Sequence, residues 1–466
     1  MSTVEPFDLA LTGGKVFFND NFVESNVYLR DGKIVSLTCD KLPARKVLEV
    51  DGLFVLPGFV DPHVHFSLKL GPHRSTDDFF TGGRAAACGG VTTVGDFTEP
   101  CSTEAEAESE IERRIEEASN AYVDYFLHLT IANPSMDPHK VCEIALDHGI
   151  TSIKLFTTYS SSGRRTDDWY LLQLLKVARE YHVTVMVHAE NDEIVEGNVK
   201  ASLQEGGGHL QVRDLPYVRE AITEIEAVSR VASFAQWTGA KVYVAHVSSG
   251  ITLDRVATAF KDVLNRTLFV ESCPHYFWLD QTLFSGDGGY RYAVCPPLRS
   301  YGEIERLKGH LKVGNISSIG TDHCPFNLEE RQVYKDRYES MPNGLPGVEV
   351  SFILMHTLAK QLHMPLERLV PLFSSNPARI MGLNHRKGSI SPGKDADLVV
   401  FDPEAEWTIT QSLLHSANDY TPYEGIKVVG KVVHTVLRGR IIVEEGEPMG
   451  EAGFGEYLGR GSSGDA

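Results

Sequence analysis

The chain has 466 residues, of which 42% are hydrophobic and 23% are charged, proportions that are ordinary for a soluble globular protein. With 44 Lys and Arg against 63 Asp and Glu, its formal net charge is −19, which argues against nucleic-acid binding, where a basic patch is the usual footprint. The seven cysteines are dispersed and form no CxxC pair, a pattern typical of reduced thiols. Since no signal peptide and no long apolar run occurs, we expect a cytoplasmic protein without a membrane partner.

The two ends of the chain have the texture of β-sheet. Residues 7–55 form short apolar runs separated by turn signals such as Gly13-Gly14 and Asp31-Gly32, and short strands with tight turns return from about residue 384. We therefore predict that residues 1–55 and 384–445 pair into one β-sandwich domain beside a separate domain over residues 56–383. Residues 446–466 are expected to form a C-terminal tail, and the Gly/Ser-rich residues 459–466 to be disordered.

Between these ends, eight apolar stretches alternate with amphipathic helical stretches, which is the pattern of parallel β/α units. The predicted strands are residues 57–65, 91–97, 123–131, 151–156, 183–188, 241–247, 267–272 and 317–322. The predicted helices include residues 76–88, 102–120, 166–181 and 217–238. Eight such units predict an α/β fold, a (β/α)₈ TIM barrel, whose catalytic residues lie at the C-terminal ends of the strands.

Polar residues that can bind metals lie at the ends of five predicted strands. His63 and His65 end the first strand and project from the same face, since side chains alternate along a strand. The remaining members of this set are Lys154, His188, His246 and Asp322. Each alone fits a capped or solvated strand end, but together they favour a metal site, because buried charges are kept when they are paired or bound to a metal.

Lys154 is the unusual member of this set, because an ammonium group beside metal cations is repelled. Carboxylation of the amine by CO₂ would invert its charge. The resulting carbamate has two oxygens, which could bridge a pair of metals. We therefore predict a CO₂-derived carbamate on Lys154.

Several motifs spread over nearly the whole chain carry a family resemblance. They are GFVDPHVHF, IKLFTTY, VHAEN, VAHVSS, ESCPHYFWLD, CPPLR, GTDHCPF, NGLPGVE and SPGKDADLVVFDP. The chain resembles the cyclic amidohydrolases of the amidohydrolase superfamily, most closely the dihydropyrimidinase and D-hydantoinase group. This resemblance implies a homotetrameric zinc enzyme that hydrolyses hydantoins or dihydropyrimidines, as small-molecule cyclic amide substrates, to N-carbamoyl amino acids.

The resemblance also implies two zinc ions per chain, bridged by a hydroxide and by carboxylated Lys154. One zinc ion would be held by His63, His65 and Asp322, and the other by His188 and His246. Two metals lower the pKa of a bridging water and polarise the scissile carbonyl, so that a ring amide can be attacked at neutral pH.

Four residues have further roles by the same resemblance. Asp322 would carry the proton from the hydroxide to the departing ring nitrogen. Tyr159 would donate a hydrogen bond to the developing oxyanion. The backbone at Cys295 and Asn343 would hold the amide edge of the ring, although hydantoinases usually have serine at the first of these positions.

The choice of ring stays open between hydantoinase, allantoinase and dihydroorotase activities. Dihydroorotases usually place a carboxylate-binding arginine after the paired histidines, where residues 66–68 read Phe-Ser-Leu here. The stretch GDFTEP resembles hydantoinases, whereas His275 occupies a place where allantoinases often have histidine. The loops 66–75 and 157–166 are expected to face the ring substituent.

A non-catalytic scaffold is the alternative from a different functional class, because dihydropyrimidinase-related proteins that lack the ligands act through interactions. All six candidate ligands are present here, which favours an enzyme.

Overall fold

The described chain begins with strands that lie in two sheets. The structure is a computed structural model that describes residues 5–205 and 207–459. The strands in order are β1 (Phe7–Thr12), β2 (Lys15–Phe18), β3 (Asn21–Glu24), β4 (Asn26–Arg30), β5 (Lys33–Thr38), β6 (Ala44–Glu49) and β7 (Phe54–Pro57). Strands β5, β4, β1 and β6 form a four-stranded sheet, whereas β7, β2 and β3 belong to a second sheet that the C-terminal segment completes.

Eight parallel strands follow and form the barrel. They are β8 (Phe59–Asp61), β11 (Val91–Phe97), β12 (Asp124–Thr130), β13 (Ser152–Phe156), β14 (Thr184–His188), β15 (Val242–Val244), β16 (Leu268–Ser272) and β17 (Ser318–Ile319), with a small hairpin of β9 (Lys69–Leu70) and β10 (His73–Arg74) after the first. Each strand pairs with the next in chain order. The last strand approaches the first through a parallel bridge between Val64 and His323. The predicted TIM barrel is confirmed.

Helices connect these strands and lie outside them. They are α1 (Thr81–Cys88), α2 (Glu104–Glu117), α3 (Pro138–Asp147), α4 (Asp168–Glu180), α5 (Asp192–Glu205), α6 (Leu215–Val218), α7 (Ala221–Thr238), α8 (Gly250–Ala259), α9 (His275–Trp278), α10 (Tyr301–Val313), α11 (Leu328–Gln332), α12 (Ser351–Gln361), α13 (Leu366–Phe373) and α14 (Ser375–Ile380). None of the helices among residues 5–205 and 207–459 has both the length and the apolar character that crossing a bilayer requires.

Helix α1 begins five residues later than the sequence predicts. The carboxylate of Asp78 accepts the backbone N–H groups of Phe80 (2.9 Å) and Thr81 (2.7 Å), which holds the chain in a turn before the helix. The preceding Asp77 is buried, and its carboxylate binds His323 at 2.9 Å. Tertiary contacts of this segment therefore override its local helical pattern.

The C-terminal segment completes the second sheet. Its strands are β18 (Leu398–Thr408), β19 (Lys427–Leu437), β20 (Arg440–Glu444) and β21 (Glu447–Pro448). The seven strands run in the order β21-β20-β19-β18-β7-β2-β3, with β7 antiparallel to β18. The two ends of the chain therefore share one sheet beside the barrel. The domain boundaries proposed from sequence stay a prediction, and β7 runs across the first of them.

Residues of the predicted C-terminal tail lie against the barrel as far as residue 459. Tyr457 forms a parallel bridge with Tyr125, and the side chain of Leu458 is buried. Leu458 joins the apolar cluster inside the barrel, where side chains such as Phe126 and Met186 meet Ile380 of α14. An apolar cluster therefore fills part of the barrel interior. The disorder expected for residues 459–466 falls outside the described residues from residue 460 onward.

A buried lysine joins the barrel to the segment that leads into β18. The ammonium of Lys387 lies 2.5 Å from an oxygen of Asp124, 2.6 Å from Asp397 and 3.0 Å from Asp395. Its side chain is 1% exposed, so solvent cannot replace these contacts. Removal of one partner from a buried ion pair leaves uncompensated charge and is strongly destabilising.

We therefore expect Lys387→Met to lower the free energy of unfolding by about 3–5 kcal/mol, because three carboxylates lose their shared cation. Lys427→Met changes an exposed lysine on β19 and is the matched control, with an expected change within about 0.5 kcal/mol. Urea unfolding followed by circular dichroism measures both. Equal unfolding curves for the two variants would show that the buried cluster does not stabilise the fold.

Candidate active site

All nine residues proposed from sequence line one cavity at the C-terminal face of the barrel. The cavity has a volume of about 180 Å³. Its lining includes His63, His65, Lys154, Tyr159, His188, His246, Cys295, Asp322 and Asn343. The carboxyl ends of parallel strands meet at one face, so residues that are far apart in sequence come together there.

Three side chains form a compact group after the first and last strands. Asp322 Oδ1 lies 3.2 Å from His63 Nε2 and 3.0 Å from His65 Nε2, and the two ring nitrogens are 3.2 Å apart. Ligand atoms on a tetrahedral ion with bonds of about 2.1 Å lie roughly 3.4 Å apart, so this triangle fits one zinc-sized cation. Burial acts to raise the pKa of Asp322, but His63 and His65 lower it well below its usual range.

A second pair of histidines faces this group. His188 Nδ1 lies 2.9 Å from His246 Nε2. The ring centroids of His246 and His63 are 5.5 Å apart, which brings the second pair beside the first group. Burial lowers the pKa of both His188 and His246, and neutral imidazoles are the form that binds metals.

Lys154 lies in the same cavity and is buried. Its ammonium makes no salt bridge with a residue in the described ranges, and its nearest aromatic rings are Phe97 at 5.4 Å and Phe156 at 5.6 Å. Burial lowers the pKa of Lys154 to about 8, although the charges of Glu271 and Asp322 oppose the change. A substantial neutral fraction near pH 7 to 8 makes this amine a possible nucleophile towards CO₂.

The sequence reasoning missed two buried glutamates that orient these histidines. Glu271, at the end of β16, accepts the ring Nδ1–H of His63 at 2.7 Å and the backbone N–H of His246 at 2.8 Å. Glu190 lies 2.7 Å from His188 Nε2. A metal-binding histidine almost always donates its other ring N–H to such a partner, so both contacts fit metal ligation. In the sequence, both glutamates could have been noticed as acidic residues at or just after strand ends, in TLFVES and VHAEN.

A third missed residue, Arg219, connects Glu190 with Tyr159. Its guanidinium forms an ion pair with Glu190, and its central carbon lies 4.8 Å from the centroid of the Tyr159 ring. Burial raises the pKa of Tyr159, while the charges of Arg219 and Arg164 act in the opposite direction. The phenol therefore stays protonated at neutral pH and is available as a hydrogen-bond donor.

The segments that contain Cys295 and Asn343 lie side by side at the cavity. A backbone hydrogen bond from Gly344 N–H to Ala293 O (3.0 Å) joins them. The thiol of Cys295 lies 3.2 Å from the Tyr338 hydroxyl, and burial raises its pKa, so it is a neutral group. The side-chain oxygen of Asn343 is buried without a partner in the described chain.

Three residues of the site have left-handed backbone conformations. The φ angle is +70° at Tyr159, +38° at His246 and +51° at Asp322. Such conformations cost about 1–3 kcal/mol each for residues other than glycine and persist where the surrounding structure enforces them. They cluster at functional sites, so their presence here supports the cavity as the place of function.

His275, which the sequence comparison with allantoinases singled out, does not line the cavity. It is buried in α9, and burial lowers its pKa to about 4. It therefore lies outside the residues that line the cavity, although the charges of Asp322 and Glu271 act on it.

Two other groups of possible metal ligands occur in the described residues. Asp124, Asp395 and Asp397 surround the ammonium of Lys387 and are already neutralised. In the group of Cys88, Glu349 and His415, the carboxylate accepts both the backbone N–H and the ring N–H of His415, each at 2.7 Å. The cavity at the barrel face is therefore the best candidate for a metal centre.

Comparison with known proteins shows which family the chain resembles over nearly its whole length. A model of the Amidohydrolase family matches residues 54–442. D-phenylhydantoinase of Escherichia coli O1:K1 / APEC is 34% identical over 461 residues, and D-hydantoinase of Streptomyces coelicolor is 32% identical over 459 residues, each match covering 97% of both chains. The crystal structure of dihydropyrimidinase from Brevibacillus agri NCHU1002 is similar with a TM-score of 0.92 and 31% identity, covering 97% of this chain and 98% of that one.

Proposed function

This chain belongs to the amidohydrolase family, and we propose that it hydrolyses the ring amide of hydantoins or dihydropyrimidines at a binuclear zinc centre. The observation that carries this proposal is the meeting of two histidine pairs, Asp322 and a buried lysine in one cavity at the barrel face. The names of the relatives, D-phenylhydantoinase and D-hydantoinase, support the class of substrate.

The proposed ligands divide into two sets. One zinc ion would be held by His63, His65 and Asp322, the other by His188 and His246, and a carbamate on Lys154 would bind both. The buried, unpaired amine of Lys154 supports this modification, because carboxylation supplies the negative charge that two cations require. Two zinc ions bound there would supply a hydroxide nucleophile at neutral pH and would polarise the ring carbonyl.

The residues of the chain then have distinct tasks. Water releases one proton to solvent and adds as hydroxide to the carbonyl carbon, the ring C–N bond breaks, and the carbon becomes a carboxylate. Asp322 takes the remaining proton of the hydroxide and passes it to the departing nitrogen, which becomes the NH₂ group of the carbamoyl product. Tyr159 donates a hydrogen bond to the oxygen that develops negative charge, and its protonated state supports this role. The backbone at Cys295 and Asn343 holds the amide edge of the ring.

Parallel initial rates of the zinc-loaded protein on dihydrouracil, a 5-substituted hydantoin, allantoin and dihydroorotate test the proposal. We expect turnover of the first two. Turnover of allantoin alone would show an allantoinase, and turnover of dihydroorotate alone would show a dihydroorotase. Either result would replace the hydantoinase assignment. A protein that holds no metal and turns over none of the four would support the non-catalytic scaffold.

The proposal includes a cytoplasmic homotetramer. All seven cysteines are unpaired, as expected for thiols in a reducing compartment. The tetramer rests on the resemblance to the hydantoinase group, and sedimentation velocity measures it directly.

Replacement of Lys154 by Ala should abolish activity, because the bridging carbamate can no longer form. Short carboxylic acids such as acetate should restore part of the rate by taking the place of the carbamate. Lys176→Ala, at an exposed position on α4, is the control and should keep full activity. Full activity of Lys154→Ala without added acid would exclude the carbamate.

Asp322→Asn should lower kcat by about 10²- to 10⁴-fold, because the amide cannot carry the proton between water and the leaving nitrogen. Much of the bound zinc should remain, which metal analysis of the dialysed protein measures. Asp20→Asn changes an exposed aspartate and should leave kcat unchanged. An unimpaired rate in Asp322→Asn would remove this residue as the proton carrier.

Glu271→Gln should weaken zinc binding by about 10- to 100-fold, because the ring of His63 loses the carboxylate that orients it. Competition with a zinc chelator measures the affinity. Glu349→Gln is a closely matched control, since Glu349 also accepts a histidine Nδ1–H at 2.7 Å, from His415. Equal zinc affinities in the two variants would contradict the orienting role of Glu271.

A further inference from the structure

The loop after β13 supplies the only charged residue of the cavity lining, in the described chain, that has no role in the proposed chemistry. Three charged residues line the cavity: Lys154, Asp322 and Arg164. The first two belong to the proposed metal centre. Arg164 lies in the loop 157–166, on the side expected to face the ring substituent.

The backbone of this loop fixes Arg164 beside Tyr159. A short helical turn spans Ser160–Ser162 and ends at Gly163, which has a φ of +71°. The chain then reverses its direction, and Arg164 N–H donates a hydrogen bond to the carbonyl of Tyr159 at 3.0 Å. Two residues later, Thr166 N–H donates to the carbonyl of Phe156 at 2.8 Å. The position of Arg164 is therefore set by hydrogen bonds within the loop.

The guanidinium of Arg164 has no protein partner in residues 5–205 and 207–459, in contrast to its neighbours. Arg165 forms an ion pair with Asp192 at 3.1 Å, and Arg219 forms one with Glu190. No such carboxylate accompanies Arg164, which is only partly exposed. The apolar side chains of Leu70 and Phe156 line the same cavity. A half-buried cation in such surroundings gains strongly from an anionic partner.

The placement of Tyr159 indicates where that partner would come from. Under the proposed function, Tyr159 donates to the oxygen of the scissile carbonyl. The ring carbon next to this carbonyl carries the substituent, and the charge of Arg164 acts on the Tyr159 phenol, so a substituent directed towards the loop 157–166 comes near Arg164. A guanidinium matches a carboxylate with two parallel hydrogen bonds, which no neutral substituent can offer.

We propose that Arg164 binds a carboxylate on the ring substituent, so that the preferred substrates are hydantoins or dihydropyrimidines with a short acidic side chain. This inference rests on the proposed function and specifies its substrate class. The arginine expected after the paired histidines of dihydroorotases is absent here, and Arg164 provides a cation from a different loop. The products are N-carbamoyl derivatives of acidic amino acids.

The test compares 5-(2-carboxyethyl)hydantoin with 5-(2-carbamoylethyl)hydantoin, which has nearly the same shape and no charge. We expect the zinc-loaded wild-type protein to prefer the acid by about 10- to 100-fold in kcat/KM, the range for hydrogen bonds to charged groups. Arg164→Gln should bring this ratio close to one through a higher KM for the acid. Arg164→Lys should retain part of the preference, because it keeps the charge but not the planar fork.

Arg255→Gln is the matched control, because Arg255 is exposed on α8, lies outside the cavity and makes no ion pair in the described chain. Its acid-to-amide ratio should equal that of the wild-type protein. Calorimetric binding of the two products, N-carbamoylglutamate and N-carbamoylglutamine, gives a second readout without turnover. The acidic product should bind more tightly to the wild-type protein, and the difference should disappear in Arg164→Gln.

The outcomes separate this inference from the proposed function. Turnover of both hydantoins at equal efficiency, unchanged in Arg164→Gln, would overturn the role of Arg164 while leaving the hydantoinase activity intact. Absence of turnover for both, together with equal binding of both products, would count against the two proposals at once. Acid preference that is lost only in the Arg164 variants supports the inference.

Discussion

The carboxylate of Glu271 is the contact on which the geometry of the site depends. Its Oε1 atom accepts the ring N–H of His63 and the backbone N–H of His246, while Oε2 accepts the hydroxyl of Tyr243 at 2.7 Å. One side chain inside the barrel thereby fixes a residue from each histidine pair. The Glu271 carboxylate is tightly packed against Gly320. A Cβ atom at this position would lie 2.4 Å from Oε2, so the chain needs glycine there. Orientation of the histidines is therefore built into the barrel interior.

Sequence alone was sufficient to predict the barrel, and the structure brings the nine proposed site residues to one cavity. Strands such as 151–156 and 183–188 are short apolar runs, and a parallel barrel necessarily brings their ends to one face, so Lys154 and His188 could be placed together without a structure. The predicted start of α1 was wrong because the side chain of Asp77 turns into the core and binds His323, which is 246 residues away in the sequence. Local sequence patterns cannot predict such tertiary contacts.

Tertiary contacts also explain why the sequence analysis missed three residues that orient the site. Glu271 ends a strand, where an acidic side chain is equally typical of exposure to solvent, and its partner His63 is 208 residues away. Glu190 is two residues from His188, yet only the fold shows that the two side chains bond. Arg219 precedes α7 in a segment without a motif, and its contacts with Glu190 and Tyr159 are purely tertiary. Ligand candidates can thus be read from strand ends, whereas the groups that orient them cannot.

Glu190 and Arg219 show how one ion pair serves two parts of the site. Burial alone would raise the pKa of Glu190, but the guanidinium of Arg219 and the imidazole of His188 lower it to about 2. An ionised Glu190 only accepts hydrogen bonds, so His188 must carry its proton on Nε2, which leaves Nδ1 with a free lone pair towards His246. The guanidinium that keeps Glu190 charged also lies over the Tyr159 ring. The protonation state of a proposed ligand and the position of the proposed oxyanion donor therefore depend on the same arginine, which contacts Glu190 after β14 and Tyr159 in the loop after β13.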